Sequence, residues 1–209
     1  MINERMEWLM DDNNTYVVQC GDQVDTDKFI TFSPDDEAKR DINLHKHYYA
    51  MIFMEYMNVV SRGHVISLIG NHEWMNVDKA PQPSCIPFWP CQNNFKFGLP
   101  LGIILRRRNF IVKINSCVFS HAGICDRHIN EYMYYTQKKH LTLTEFIDGI
   151  NHQATVEGNY GSRKTVIFAN IIIGESDRQG GFSGIIWNRD YRYPIEKNRE
   201  GTQNRIHGF

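Results

Sequence analysis

An α/β fold follows from three features of the sequence. Short runs rich in β-branched and aromatic residues, at 16–20, 64–69 and 117–119, each lead into a polar or glycine-containing turn. Residues 41–60 carry apolar side chains at helical spacing (Leu44, Tyr48, Met51, Ile52 and Val59) just ahead of the second run. Helix, strand and then a polar motif is the order that brings ligands to the carboxyl ends of strands in α/β proteins.

The elements are justified in chain order. Residues 3–10 read as a short helix. The run 16–20 is a strand ending at Gly21, where the backbone can turn sharply and present Asp22. Residues 27–40 are polar and read as loop. Asp41 or Asn43 is expected to cap the long helix, and Gly63 follows its end. Residues 64–69 form a buried strand. Residues 76–102 hold Pro81, Pro83, Pro87, Pro90 and Pro100, mixed with Phe88, Trp89, Phe95 and Phe97. No regular element fits that proline density, so a packed, substrate-facing loop or lid is expected. Segments 109–114 and 117–120 flank Asn115-Ser116, a two-residue hairpin turn. Thr142-Leu143-Thr144-Glu145 fits a capping box, which starts a helix running to about Ile150. Segment 165–173 is apolar and fits helix or strand equally. No repeat or linker divides the chain, so one domain over residues 1–209 is expected.

Bulk properties exclude several classes. The 209 residues are 42% apolar, enough for a sizeable core. A formal net charge of −1 argues against a nucleic-acid binder with a strongly basic face. Arg106-Arg107-Arg108 reads as a solvated loop. No segment reaches the ~20 apolar residues that span a bilayer, so no membrane partner is expected. The N-terminus shows no cleavable apolar segment, which points to an intracellular, cytoplasmic setting. Cys20, Cys85, Cys91, Cys117 and Cys125 lack a metal-type spacing and read mainly as core or loop thiols, with Cys85 and Cys91 flanking the proline-rich loop as an alternative redox pair.

Three polar motifs follow the three strand runs: Gly21-Asp22-Gln23-Val24-Asp25, Gly70-Asn71-His72-Glu73 and Ser120-His121-Ala122-Gly123. Carboxylate, amide and imidazole groups delivered to strand ends suit a site that binds two divalent metals and cuts phosphate esters. Any one of them alone is unremarkable. A single aspartate after a strand is usually a turn former, and a single buried histidine a hydrogen-bonded core residue. His45, His47, His64, His128, His140 and His152 have no motif context and read as surface or core residues, as Trp74 and Met75 read as packing behind the site.

This order of motifs resembles the calcineurin-like metallophosphoesterase superfamily. Within it, the runs 68–76, 112–124 and Gly184-Ile185-Ile186-Trp187-Asn188-Arg189-Asp190-Tyr191 are most similar to the phosphoprotein phosphatases of the Shewanella-like branch. The resemblance covers about residues 16–191. It implies an αββα sandwich, here incomplete, with the first strand and C-terminal strands missing. It implies two divalent metal ions (Mn, Fe, Zn or Mg), with Asp22 bridging both and Asn71 and His121 serving one. His72 matches the general acid that protonates the leaving oxygen, Asp25 the carboxylate that orients it, and Arg189 a phosphate clamp. The implied reaction is hydrolysis of phosphoserine and phosphothreonine monoesters by a metal-bound hydroxide, with a phosphoprotein or phosphopeptide as substrate.

The chain departs from that pattern in three places. No Asp-x-His motif precedes Asp22, no complete Gly-His motif follows beyond Ile206-His207-Gly208-Phe209, and Thr26 stands where many phosphoprotein phosphatases carry arginine. A product trimmed at both ends, keeping ligands mainly for one metal and impaired in turnover, is therefore expected. The alternatives are another phosphoesterase of the superfamily, such as a dinucleoside polyphosphate hydrolase, and a non-catalytic module that binds phosphate or a partner.

Overall fold

The computed structural model describes residues 7–10, 15–24, 37–77, 99–160, 163–174 and 183–187. They form a mixed α/β structure. Strand β1 (Val17–Gln19) pairs in parallel with β2 (Val65–Ser67), Val17 opposite Val65. Helix α1 (Glu37–Val60) lies between them in the chain. Its end is closed by the amides of Arg62 and Gly63, which donate to the Val59 and Asn58 carbonyls, with Gly63 at φ +88°. The Asn58 side chain then donates to the Val65 carbonyl, fixing the helix end to the strand it feeds. Because the pair is parallel, both strands finish at the same edge, with Asp22 just beyond one and Asn71 just beyond the other.

Helix α2 (Asn71–Val77) starts at that edge. After it come α3 (Pro100–Leu105) and the antiparallel hairpin of β3 (Ile111–Ile114) and β4 (Cys117–Ser120). Ile114 faces Cys117, and Asn115 takes φ +54°, a left-handed conformation that asparagine tolerates. A parallel bridge between Leu68 and Asn109 joins β2 to the approach of β3. Ser120 pairs with Ile111 at the start of β3, so β4 delivers His121 to the edge that carries Asp22 and Asn71.

Helices α4 (Asp126–Thr136) and α5 (Leu143–Thr155), a 3-10 turn (Glu157–Tyr160) and a π-helix (Phe168–Ile173) complete the order. The main core gathers Ile69, Trp74, Phe110, Phe146, Phe168 and Ile185, with Phe110 and Phe168 edge to face at 5.9 Å. A second cluster joins Val24, Met51, Leu101 and Leu105. Trp74 and Met75 are core residues, as the sequence implied. Among the described residues no helix is long and apolar enough to cross a membrane.

Several expectations are corrected. Of the helix expected over 3–10, residues 7–10 are not helical and 3–6 lie outside the described residues. Helix α1 begins at Glu37, so residues 37–40 are helix rather than loop, Asp41 and Asn43 lie inside the helix rather than at its start, and 27–36 lie outside the described residues. Val59 is 73% exposed and does not belong to the buried face with Met51. The segment 76–102 is not free of regular structure at its ends: Asn76 and Val77 complete α2, and Pro100 opens α3 at a first-turn position, where a missing N–H costs nothing. Residues 78–98 lie outside the described set, with Cys85 and Cys91. Helix α5 keeps the Thr142–Glu145 capping box but runs on to Thr155. The ambiguous segment 165–173 is helical from Val166, its π character set by the Gly174 amide donating to the Ala169 carbonyl.

Candidate metal centre

The site is built on two turns pressed backbone to backbone. Gly21 has φ +90°, and a Cβ there would lie 2.5 Å from the Gly70 nitrogen. A Cβ on Gly70 would lie 2.5 Å from the Asp22 carboxylate. Only glycine allows this approach. Asp22 itself sits at φ +59°, uncommon for a non-glycine residue. Its carboxylate accepts the His72 amide of α2 at 3.0 Å, capping that helix from across the edge.

Glu73 locks the turns together. It is fully buried. Its carboxylate accepts the amides of Asp22 at 2.8 Å, Gly70 at 2.9 Å and Gln23 at 2.5 Å. One side chain from the first turn of α2 thereby satisfies donors on both motifs.

His121 comes from the end of β4, and its loop is supported by the Ala122 amide donating to the Ile185 carbonyl. Its Nδ1 lies 2.6 Å from the Cys20 carbonyl oxygen. Its Nε2 lies 2.9 Å from Asn71 Oδ1 and 3.3 Å from Asp22 Oδ2. Both ring nitrogens therefore face acceptors. A carbonyl can only accept, so Nδ1 carries a proton, and Nε2 needs either a second proton or a cation between it and the two oxygens. Without a metal, the proton is favoured. Burial disfavours charge on His121, but the hydrogen bond and charge of Asp22, with the Cys20 carbonyl and Glu73, outweigh it and raise the imidazole pKa. Asp22 mirrors this: burial pushes its pKa up, and His121 with the His72 amide pulls it below the usual value.

The donor set fits a divalent ion. Carboxylate, amide oxygen and imidazole suit hard and borderline metals. Adjacent ligands roughly 2.1 Å from an octahedral ion sit about 3.0 Å apart, close to the separations around Nε2. Asp22 keeps a third of its side chain exposed, so an ion can reach it. Among the described residues no group of three or more His, Cys, Asp or Glu is disposed to hold a metal, and this centre draws its third donor from an amide.

The structure thus brings Asp22, Asn71 and His121 together, with Asn71 50 and Asp22 99 positions ahead of the histidine that touches both. His72 joins them, its Nε2 3.8 Å from Asp22 Oδ2. Asp25 and Arg189 lie outside the described residues. The motifs assign Glu73 no role, although an acid in the first turn of a helix, three residues after a glycine turn, is the pattern for folding back onto free amides. Arg108 is not solvated as expected: the side chain is buried, 3.0 Å from Glu55 and 2.6 Å from Gln23. No family model, curated protein or solved structure matches the chain.

Proposed function

We propose that this protein is a metal-dependent phosphoesterase of the calcineurin-like type, acting on phosphoserine and phosphothreonine monoesters of proteins or peptides. The single observation that carries the reading is the meeting of Asp22, Asn71 and His121 around His121 Nε2. The finer expectations, an αββα sandwich and an intracellular location, belong to this proposal.

Asp22, Asn71 and His121 are the residues that would hold the ion. When bound, a divalent cation neutralises phosphate charge and acidifies water. The chain's own groups do the rest. Nδ1 of His121, fixed by the Cys20 carbonyl, sets the tautomer that turns Nε2 to the centre. His72, only 12% exposed in its side chain and beside Asp22, is the group placed to give a proton to the leaving oxygen. Glu73 keeps the two turns in register.

Titration calorimetry with Mn²⁺ tests the reading first. Binding lost in Asp22→Ala and in His121→Ala supports it, and binding that survives both overturns it. Turnover with Mn²⁺ then separates the branches. Slow phosphopeptide hydrolysis is expected, because the chain keeps ligands mainly for one metal. Preference for diadenosine tetraphosphate assigns another phosphoesterase, and binding without turnover, even after Asp-x-His and Gly-His motifs are added, assigns a non-catalytic module.

A further inference from the structure

We propose that Arg108 is a positioning residue, which acts through Gln23 to hold the turn that presents Asp22 to the candidate metal centre. The inference rests on the proposed function for what Asp22 does, but the positioning itself does not depend on a metal.

Arg108 is 4% exposed and lies just beyond α3. Its Nε donates to Glu55 Oε1 on α1 at 3.0 Å, and its Nη1 donates to Gln23 Oε1 at 2.6 Å. Its Nη2 is buried with no hydrogen-bond partner among the described residues. Stability alone does not account for such a residue. Removing a guanidinium from water is costly, one paired carboxylate offsets only part of that cost, and an apolar side chain of similar volume often serves as well.

Gln23 explains what the buried cation holds. It follows Asp22 directly, and its amide donates to Glu73 Oε1. Its side-chain nitrogen reaches Ser67 Oγ on β2 at 3.5 Å. Asp22 sits in a left-handed conformation, which persists only where its surroundings fix it. Glu73 grips the turn by its main chain, and Arg108 grips it by the Gln23 side chain. Glu55 anchors that second grip to α1, the helix that connects β1 to β2. The bond is short, part-buried and spans 85 residues of sequence, so it ties the metal-side turn to the body of the fold.

The test compares wild type with Arg108→Met by amide hydrogen exchange in EDTA and by Mn²⁺ calorimetry. Exchange at the Asp22 and Gln23 amides is expected to quicken about tenfold, the loss of one hydrogen bond to a charged group. Exchange at the Lys113 and Val118 amides of the hairpin should not change, and the melting temperature should stay within about 3 °C. Mn²⁺ affinity should fall about tenfold, as for other groups that orient ligands. A merely structural role predicts the reverse: faster exchange throughout and an unchanged Mn²⁺ Kd in the folded fraction. Unchanged exchange at Asp22 and Gln23 overturns the proposal. Altered exchange with no Mn²⁺ binding even in wild type overturns the metal reading and leaves the positioning standing. Should Arg108→Met fail to fold, Arg108→Lys gives the same readout, because an ammonium keeps the Glu55 pair but cannot span both partners.

Discussion

Replacing Glu73 by glutamine is the sharpest perturbation of the site's scaffold. The carboxylate is fully buried and accepts three backbone amides, two on Oε2 and one on Oε1. Glutamine keeps one oxygen. Its NH₂ must then face a backbone N–H, donor against donor. One charge-assisted bond lost at about 2 kcal/mol, and two weakened by about 1 kcal/mol each, give about 4 kcal/mol. For a chain of 209 residues, each kcal/mol moves the melting temperature by about 3 °C, so the expected drop is about 12 °C. Circular dichroism melts in EDTA measure this without a contribution from bound metal. The opposing effect is relief of burying a carboxylate. If Glu73→Gln melts within about 3 °C of wild type, that relief wins and the clamp argument is wrong.

Other outcomes follow from the same geometry. Gly70→Ala forces a Cβ onto the Asp22 carboxylate and amide, so it should cost about 1–3 kcal/mol in urea unfolding and abolish Mn²⁺ binding. His121 has a raised pKa in the fold, so its stabilisation is complete below about pH 6.5 and is lost as pH climbs through the raised value. Protons also compete with metal at Nε2, so Mn²⁺ affinity should rise about tenfold per pH unit until that pKa is passed, which calorimetry between about pH 6 and pH 8 checks. Glu145 is lowered to about 2, chiefly by its bond from Lys138 and then by the Thr142 amide and hydroxyl. Its contribution is present above about pH 4.5 and lost as pH falls toward 2, and Glu145→Gln should flatten that part of the acid-unfolding curve. Thr142→Ala removes the cap of α5 and should cost about 1 kcal/mol, read as a shift of roughly 3 °C in the melt.

What was legible in the sequence was local. The strand runs at 16–20, 64–69 and 117–120, the Asn115-Ser116 turn and the Thr142–Glu145 box each depend on neighbours a few residues away. The meeting of Asp22, Asn71 and His121 was legible because each follows a strand, and strand ends cluster in this kind of fold. Tertiary choices were not. Arg108 reads as one of three surface arginines until Glu55 and Gln23, 53 and 85 residues away, bury it. Val59 fits the apolar spacing of α1, yet Tyr49 and Val59 stay exposed at 65% and 73% while Met51 is buried, because packing against α3 selects a narrower face. Pro100 belongs to a proline-dense run that fits no regular element, yet at the first turn of α3 its missing N–H costs nothing.

An anomalous difference map at the manganese edge, from crystals of the chain grown with Mn²⁺, tests the central claim most directly. The account predicts a peak within about 2.5 Å of Asp22, Asn71 Oδ1 and His121 Nε2 together. A peak elsewhere, or none while His121 Nε2 still bridges Asn71 and Asp22, would contradict it.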